Sequence, residues 1–148
     1  MEFITVEQFK EQPIEVQKVF IDWWKPSIGD LYCDEFLINF EGDKIQKLEV
    51  ITNATDINYI KDASEFLCVL LTEGQLRRFI EDKTECLLDI KVEDLKDDFN
   101  IYTVIAWEIK EFDYGREFGR ALFEDRIKAK GLLQLYWKIA CSVAREII

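Results

Sequence analysis

The stretch LLQLYWKIACSVAREII, residues 132–148, limits the folds open to this chain more than any other, because it predicts a helix that is apolar around most of its circumference. Its polar side chains fall at spacings of four, four and three and form one narrow stripe: Gln134, Lys138, Ser142 and Arg145. Such a wide apolar arc exceeds what one sheet face usually covers. We predict a core helix wedged between layers; the alternative is that part of the arc forms a homodimer or partner interface.

The same stretch does not fit a membrane anchor. A membrane-spanning helix needs roughly 20 mostly apolar residues, whereas this one is shorter and carries Lys138, Arg145 and Glu146. The opening MEFITVEQF has no basic segment and no small-residue cleavage site, so we expect no secretory signal. The cysteines form no Cys-x-x-Cys pair and lie in apolar runs, as small buried hydrophobes do: Cys33, Cys68, Cys86 and Cys141. We therefore expect a protein of the reducing cytoplasm.

Local signals predict three further helices. Thr5 and Gln8 have the spacing of a capping box and open a short first helix. Pro13 suits the first turn of a second helix, PIEVQKVFIDWW, whose apolar residues recur at spacings of three and four. Thr72 and Gln75 repeat the capping-box spacing before a middle helix that ends near Thr84.

Alternating apolar residues predict two hairpins. Residues 31–40 and 44–52 form the first, and 88–92 with 101–110 form the second. The run 101–110 is apolar on both faces, so we predict a central strand. The polar, weakly periodic residues 53–66 predict a loop with one helical turn.

The run FDYGREFGRALFEDR, residues 112–126, is prone to helix but loosened by Gly115 and Gly119. Only two prolines interrupt the 148 residues, and no linker-like stretch is present. We predict one α+β domain over residues 1–148: antiparallel hairpins of about four strands packed with an N-terminal helix pair, a middle helix and the long apolar C-terminal helix.

The chain contains no histidine, which removes the commonest general base and most zinc sites. Carboxylates alone could still hold magnesium or cleave a glycoside. The YGREFGR sequence around Gly115 and Gly119 matches neither the P-loop nor the dinucleotide pattern. We therefore predict a protein that is not an enzyme and carries no cofactor or metal.

The formal charge of −11 disfavours binding to nucleic acid or to anionic membranes. It can also place carboxylates where a basic partner expects phosphates. The candidate partner-binding residues are the acidic side chains of a predicted hairpin turn and one further aspartate: Glu93, Asp94, Asp97, Asp98 and Asp113. The plainer interpretation is a solvated loop and a charge that serves solubility.

A second set of residues predicts a small-molecule site. Arg116 and Arg120, four positions apart and near Tyr114, could clamp a phosphate or carboxylate. Trp23 could add an aromatic surface, although of two tryptophans at a helix end we expect one to be buried and one to lie at the rim. The structural alternative is that the arginines pair with nearby carboxylates: Asp113, Glu117 or Glu124.

Three blocks of the chain, EVQKVFIDWWKPSIGDLY, LLTEGQLRRFIEDKT and LLQLYWKIACSVAREI, resemble a family of small proteins encoded by phages and prophages of Gram-positive bacteria. The resemblance implies a shared fold and a phage context, and it supplies no catalytic residue. Small acidic phage proteins of this kind often block host machinery, including restriction and CRISPR-type complexes whose nucleic-acid clefts are basic.

The expected function is therefore a non-catalytic, acidic binding protein that inhibits a host defence protein with a basic surface, in the manner of an anti-CRISPR or a nucleic-acid mimic. Two alternatives stay open. One is a sponge for a nucleotide signal, built on the arginine and aromatic residues. The other is an accessory protein of phage replication or assembly.

Overall fold

A computed structural model describes residues 2–34, 40–43, 45–62, 67–95 and 98–148. The chain divides into two compact units, residues 1–72 with Ile148 and residues 73–147. The described ranges contain five helices and two three-stranded antiparallel sheets. This confirms the predicted α+β class, with six strands where the sequence predicts about four. The single domain predicted from composition stays a prediction.

The first unit packs three helices with one sheet. Its helices are α1 (Val6–Lys10), α2 (Ile14–Trp23) and α3 (Ala54–Asp62), and its strands are β1 (Leu31–Asp34), β2 (Lys47–Val50) and β3 (Leu67–Leu70). The strand order is β2-β1-β3, with both neighbours antiparallel to β1. Its core includes Phe9, Phe20 and Ile60.

The predicted start of α1 is confirmed. The Gln8 backbone N–H donates to Thr5 Oγ1 over 3.2 Å, and the Thr5 backbone N–H donates to Gln8 Oε1 over 2.8 Å. Pro13 lies one position earlier than predicted, as the N-cap residue of α2. At the other end of α2, Trp24 is buried and Trp23 is half-buried, as expected.

The first predicted hairpin is confirmed by the pairing of β1 with β2, although both strands are short. Parts of the predicted runs, residues 35–39 and 44, lie outside the described residues. The predicted loop over 53–66 is wrong over residues 54–62, which form α3, and residues 63–66 of that prediction lie outside the described residues. Asn53 Oδ1 accepts from the backbone N–H groups of Thr55 and Asp56, so it caps the helix.

The second unit consists of α4 (Glu73–Thr84), β4 (Cys86–Leu95), β5 (Asn100–Phe112), β6 (Gly115–Ala129) and α5 (Leu132–Ile147). Helix α4 confirms the predicted middle helix, and the antiparallel pairing of β4 with β5 confirms the second hairpin. The order β4-β5-β6 confirms that the strand containing residues 101–110 is central. Helices α4 and α5 pack together, and each also contacts the sheet.

The helix-prone interpretation of residues 112–126 is wrong, because most of this run belongs to strand β6. Two irregularities in the pairing of β6 with β5 explain why the sequence pattern does not predict this strand. Ala106 pairs with Phe123 and Trp107 with Ala121, so Leu122 is an extra residue. A second extra residue lies within positions 119–120. These β-bulges break the period of two by which a strand is recognised.

Helix α5 is a core helix, as predicted. The buried residues form most of its apolar arc: Leu135, Tyr136, Trp137, Ile139, Ala140, Cys141 and Ala144. None of the helices in the described parts of the chain has the length and apolar character that crossing a membrane requires. The homodimer over part of this helix stays a prediction.

Candidate functional site

The far end of the β5–β6 hairpin extends beyond strand β4. Cys86, the first residue of β4, pairs with Glu108, and β5 continues from there to Phe112. The chain then turns through Asp113 and Tyr114, and Gly115 starts β6 with a φ of 138°. This conformation favours glycine, because it brings a Cβ too close to the backbone. We call residues 109–118 the hairpin tip.

The hairpin tip exposes three aromatic side chains. Phe112 is 44% exposed, Phe118 64% and Tyr114 74%. The rings of Phe112 and Tyr114 are stacked, with centroids 5.1 Å apart and planes inclined by 3°. Phe118 packs against Trp107 with a centroid distance of 6.2 Å. Clustered aromatic rings in contact with water mark interaction sites more often than isolated ones do.

Charged side chains surround these rings. Arg116 Nη2 lies 3.0 Å from Glu111 Oε1, and Lys110 lies opposite Glu117 in the strand register. Asp113 is exposed in the turn between the strands. The tip therefore brings together members of both predicted sets, namely Asp113 from the partner-binding set and Tyr114 and Arg116 from the small-molecule set.

The predicted arginine clamp does not form at this tip. Four positions along a strand separate two residues by about 13 Å, since each residue advances the chain by about 3.3 Å. Arg116 and Arg120 both belong to β6, and even with the extra residue at positions 119–120 they lie roughly 10 Å apart along the strand. Arg116 instead pairs with Glu111, a partner that the sequence did not suggest. The remaining member of the predicted small-molecule set, Trp23, is the last residue of α2 and belongs to the first unit.

The side chain of Glu93 makes a hydrogen bond and an ion pair with other residues of its own sheet. The register of β4 shifts between Val92 and Asp94, which leaves Glu93 at a bulge. Thr103 Oγ1 donates a hydrogen bond to Glu93 Oε1, and Arg126 Nε lies 2.7 Å from Glu93 Oε2. The Thr103 hydrogen bond, with a smaller contribution from the charge of Arg126, lowers the pKa of Glu93. Glu93 is thus a structural carboxylate of this sheet.

The other predicted acidic residues divide between the two ends of the sheet. Asp94 and Asp98 are exposed near the β4–β5 turn, and Asp97 lies outside the described residues. Asp94 pairs with Ile101 near the start of β5, whereas Asp113 follows its end. About twelve strand positions span roughly 40 Å. The five carboxylates therefore do not form one cluster.

A cavity of about 370 Å³ lies within the second unit, between α4, α5 and one face of the sheet. Its lining is mostly apolar and includes Ile80, Leu88, Ala106, Phe123, Ile139 and Val143. The bulge at Leu122 shapes one wall, because Leu122 and Phe123 are consecutive and yet both line the cavity. Consecutive residues of a regular strand would point to opposite faces.

The cavity also has a polar border. Asp125 and Glu146 line it, are exposed, and make no ion pair within the described residues. Ser142 and Lys138 lie on the same side of α5, and Lys138 Nζ donates to the Lys128 carbonyl oxygen over 2.6 Å. The sequence did not predict this cavity, because its wall depends on a β-bulge and no residue pattern in the sequence indicates that bulge. The polar stripe of α5 was the available signal.

In the described ranges, no group of three or more acidic or cysteine side chains is arranged to hold a metal ion. Comparisons with protein-family models, with curated proteins and with solved structures give no match for this chain. The arrangement of its own residues therefore carries the functional argument.

Proposed function

We propose that this is a non-catalytic binding protein that contacts a host protein through the hairpin tip. The observation that carries the proposal is the exposure of Phe112, Tyr114 and Phe118 on a ribbon that extends beyond its sheet. Aromatic rings supply much of the energy of protein interfaces, because they bury a large area with few rotatable bonds. The Phe112 and Tyr114 rings pack against each other, so together they present one continuous apolar surface.

The charge of the chain favours a basic partner. Residues 1–72 contain 14 acidic and 6 basic side chains, a net charge of −8, and residues 73–148 contain 16 and 13, a net charge of −3. The acidic excess thus belongs mainly to the first unit, whereas the hairpin tip belongs to the second. In this proposal the overall charge attracts the partner over distance, and the aromatic rings provide the contact energy.

The resemblance to phage and prophage proteins extends the proposal to an anti-defence role. The partner would be a bacterial defence complex with a basic nucleic-acid cleft, of the restriction or CRISPR type, in the cytoplasm of the host. The exposed carboxylate of the hairpin tip, Asp113, would stand in for a phosphate at that cleft. The protein would then act as an inhibitor, by occupying the surface that nucleic acid needs.

The first experiment is an affinity pull-down from a nuclease-treated lysate of a Gram-positive host, washed at low and then at high salt. The test variant is Phe112→Ala with Tyr114→Ala. The matched control is Ile14→Ala with Ile28→Ala, which removes two exposed apolar side chains from the first unit. We expect one host protein to be retained by the wild type and the control, lost by the tip variant, and weakened by salt.

A plating assay then tests inhibition. The host carries the defence system that contains the retained protein, and the chain or its tip variant is expressed during phage challenge. We expect the wild type to restore plaques and the tip variant to restore few. Equal retention and equal plaques for wild type and tip variant would overturn the placement of the contact, and retention of no host protein would overturn the proposal.

The nucleotide-sponge alternative gains no support from these residues. Arg116 is paired with Glu111, and Arg120 is too far along the strand to share a phosphate with it. The cavity of the second unit is bordered by carboxylates, which would repel phosphate groups.

A further inference from the structure

We propose that the cavity of the second unit is a binding site for a small amphiphilic molecule with an apolar body and a cationic head, such as a primary alkylamine. This site is separate from the hairpin tip and does not depend on the function proposed there. It would give the protein a second, small-molecule ligand.

The apolar lining selects the body of the ligand. Leu122 and Phe123 line the cavity and remain 48% and 45% exposed, so their apolar surface is only partly covered by the fold itself. Ile139 and Val143 lie one helical turn apart on α5 and form the opposite wall. A molecule seated between these walls would remove apolar surface from water on both of its sides, which is the main source of affinity for such ligands.

The size of the cavity selects a ligand larger than a single ring. An apolar cavity of about 150 Å³ is sufficient for benzene, and ligand pockets in general begin at about 300 Å³. At about 370 Å³ the cavity can hold an alkyl chain of moderate length or two fused rings. Large cofactors and intact nucleotides with their phosphates would exceed its apolar part.

The polar border selects the charge of the head group. Asp125 and Glu146 border the cavity and make no ion pair within the described chain. The lysine on the same border, Lys138, donates a hydrogen bond from its Nζ to the Lys128 carbonyl oxygen. Two carboxylates against one lysine favour a cation, and the net charge of −11 acts in the same direction. A carboxylate head would meet repulsion from both acidic side chains.

The test uses three probes with the same apolar body: octylamine, octanol and octanoate. Binding to the full-length protein at pH 7 is measured by calorimetry and by NMR shifts of the methyl groups of Leu122, Ile139 and Val143. We expect octylamine to bind about fivefold more tightly than octanol, the scale of one exposed ion pair, and octanoate to bind most weakly. The preference for octylamine should shrink at high salt.

Two variants separate the contributions of head and body. Asp125→Asn with Glu146→Gln should remove the preference for octylamine over octanol while both still bind. Its matched control, Glu2→Gln with Glu15→Gln, makes the same change in charge on exposed residues of the first unit and should keep the preference. Ser142→Trp adds bulk at the exposed border and should reduce binding of all three probes at least fivefold, without removing any core side chain.

The proposal is overturned if none of the probes shifts the cavity methyl groups, or if octanoate binds as tightly as octylamine. It is also overturned if the protein forms a dimer whose dissociation by Ser142→Trp parallels the loss of probe binding, because a second copy would then be the occupant. Equal affinities for octylamine and octanol would leave an apolar cavity without a head-group site and would remove the cationic assignment.

Discussion

Tyr59 Oη donates a hydrogen bond of 2.7 Å to Asp34 Oδ2, and so connects helix α3 to strand β1 across the first unit. Asp34 is only 3% exposed. A carboxylate in such surroundings needs hydrogen-bond donors, because burial of an unsatisfied charge costs several kcal/mol.

Tyr59→Phe should therefore destabilise the protein by about 1–2 kcal/mol, measured by urea denaturation. The matched control is Tyr114→Phe, which removes the hydroxyl of a tyrosine that is 74% exposed and should change stability by less than about 0.5 kcal/mol. Equal unfolding midpoints for the two variants would show that the Tyr59 hydroxyl does not support the buried carboxylate.

Glu93 should make the stability of the protein depend on pH. Its pKa is lowered in the folded state, first by the Thr103 hydrogen bond, so the ionised form stabilises the fold above the unfolded-state pKa of about 4.3. This contribution is lost as the pH falls through the lower folded-state pKa. Glu93→Gln should thus be less stable than wild type at pH 7, and the difference should shrink as the pH falls below about 4.3.

The control for this experiment is Glu124→Gln, an exposed carboxylate on β6. Its stability should follow that of the wild type across the same pH range. A difference between wild type and Glu93→Gln that stayed constant from pH 7 to pH 3 would mean that the charge of Glu93 is not what stabilises the sheet.

Gly119→Ala distinguishes the observed strand from the helix that the sequence suggested. A Cβ at this position would lie 2.6 Å from Glu108 Oε2 and 3.1 Å from Lys110 Cε, so both side chains would have to move. We expect a loss of up to about 1 kcal/mol, whereas in an exposed helix the same change would be stabilising by about 1 kcal/mol. Gly74→Ala, in α4 with open space around it, should be neutral or stabilising.

The four thiols should be protected in the native protein. Burial raises the pKa of Cys68 to about 11 and that of Cys141 to about 12, and Cys33 and Cys86 are also buried. Since the thiolate is the reactive form, a thiol reagent at pH 8 should label these cysteines slowly until urea unfolds the chain. Ser142→Cys, an exposed neighbour of Cys141, should react at once; rapid native labelling of the wild type would contradict the buried packing.

Replacement of Asp94, Asp97 and Asp98 by asparagine should weaken inhibition of the host protein and its salt dependence, if the β4–β5 turn also faces the basic partner. The plating assay measures inhibition, and the salt series of the pull-down measures the salt dependence. Unchanged retention would exclude this end of the sheet and leave the contact to the hairpin tip.

Sequence patterns predicted the elements whose signals are local. The capping box of Thr5 and Gln8 and the apolar arc of residues 132–147 both correspond to helices in the structure. Helix α3 was missed because its apolar spacing is weak, although Asn53 and Asp56 have the spacing of a helix start. The capping residues were therefore a better guide there than the periodicity.

Strand β6 was missed for a different reason. Its partner β5 determines its conformation, and the extra residues near Gly119 and at Leu122 remove the alternation that a sequence pattern would show. The candidate sites could not be predicted for the same reason. The exposed tip rings, the Arg116–Glu111 pair and the cavity wall all depend on β6, so residue spacing could name Asp113, Tyr114 and Arg116 but could not place them.

The bulges also bear on how this strand can change in length. Each is an additional residue that the pairing with β5 passes over, so a deletion of Leu122 would leave the turn and both ends of β6 where they are. A deletion elsewhere in β6 would reverse the facing of every residue up to the next irregularity. Variation in length among natural versions of this chain should therefore concentrate at the two bulges, and at Leu122 it would change the wall of the cavity before it changed the fold.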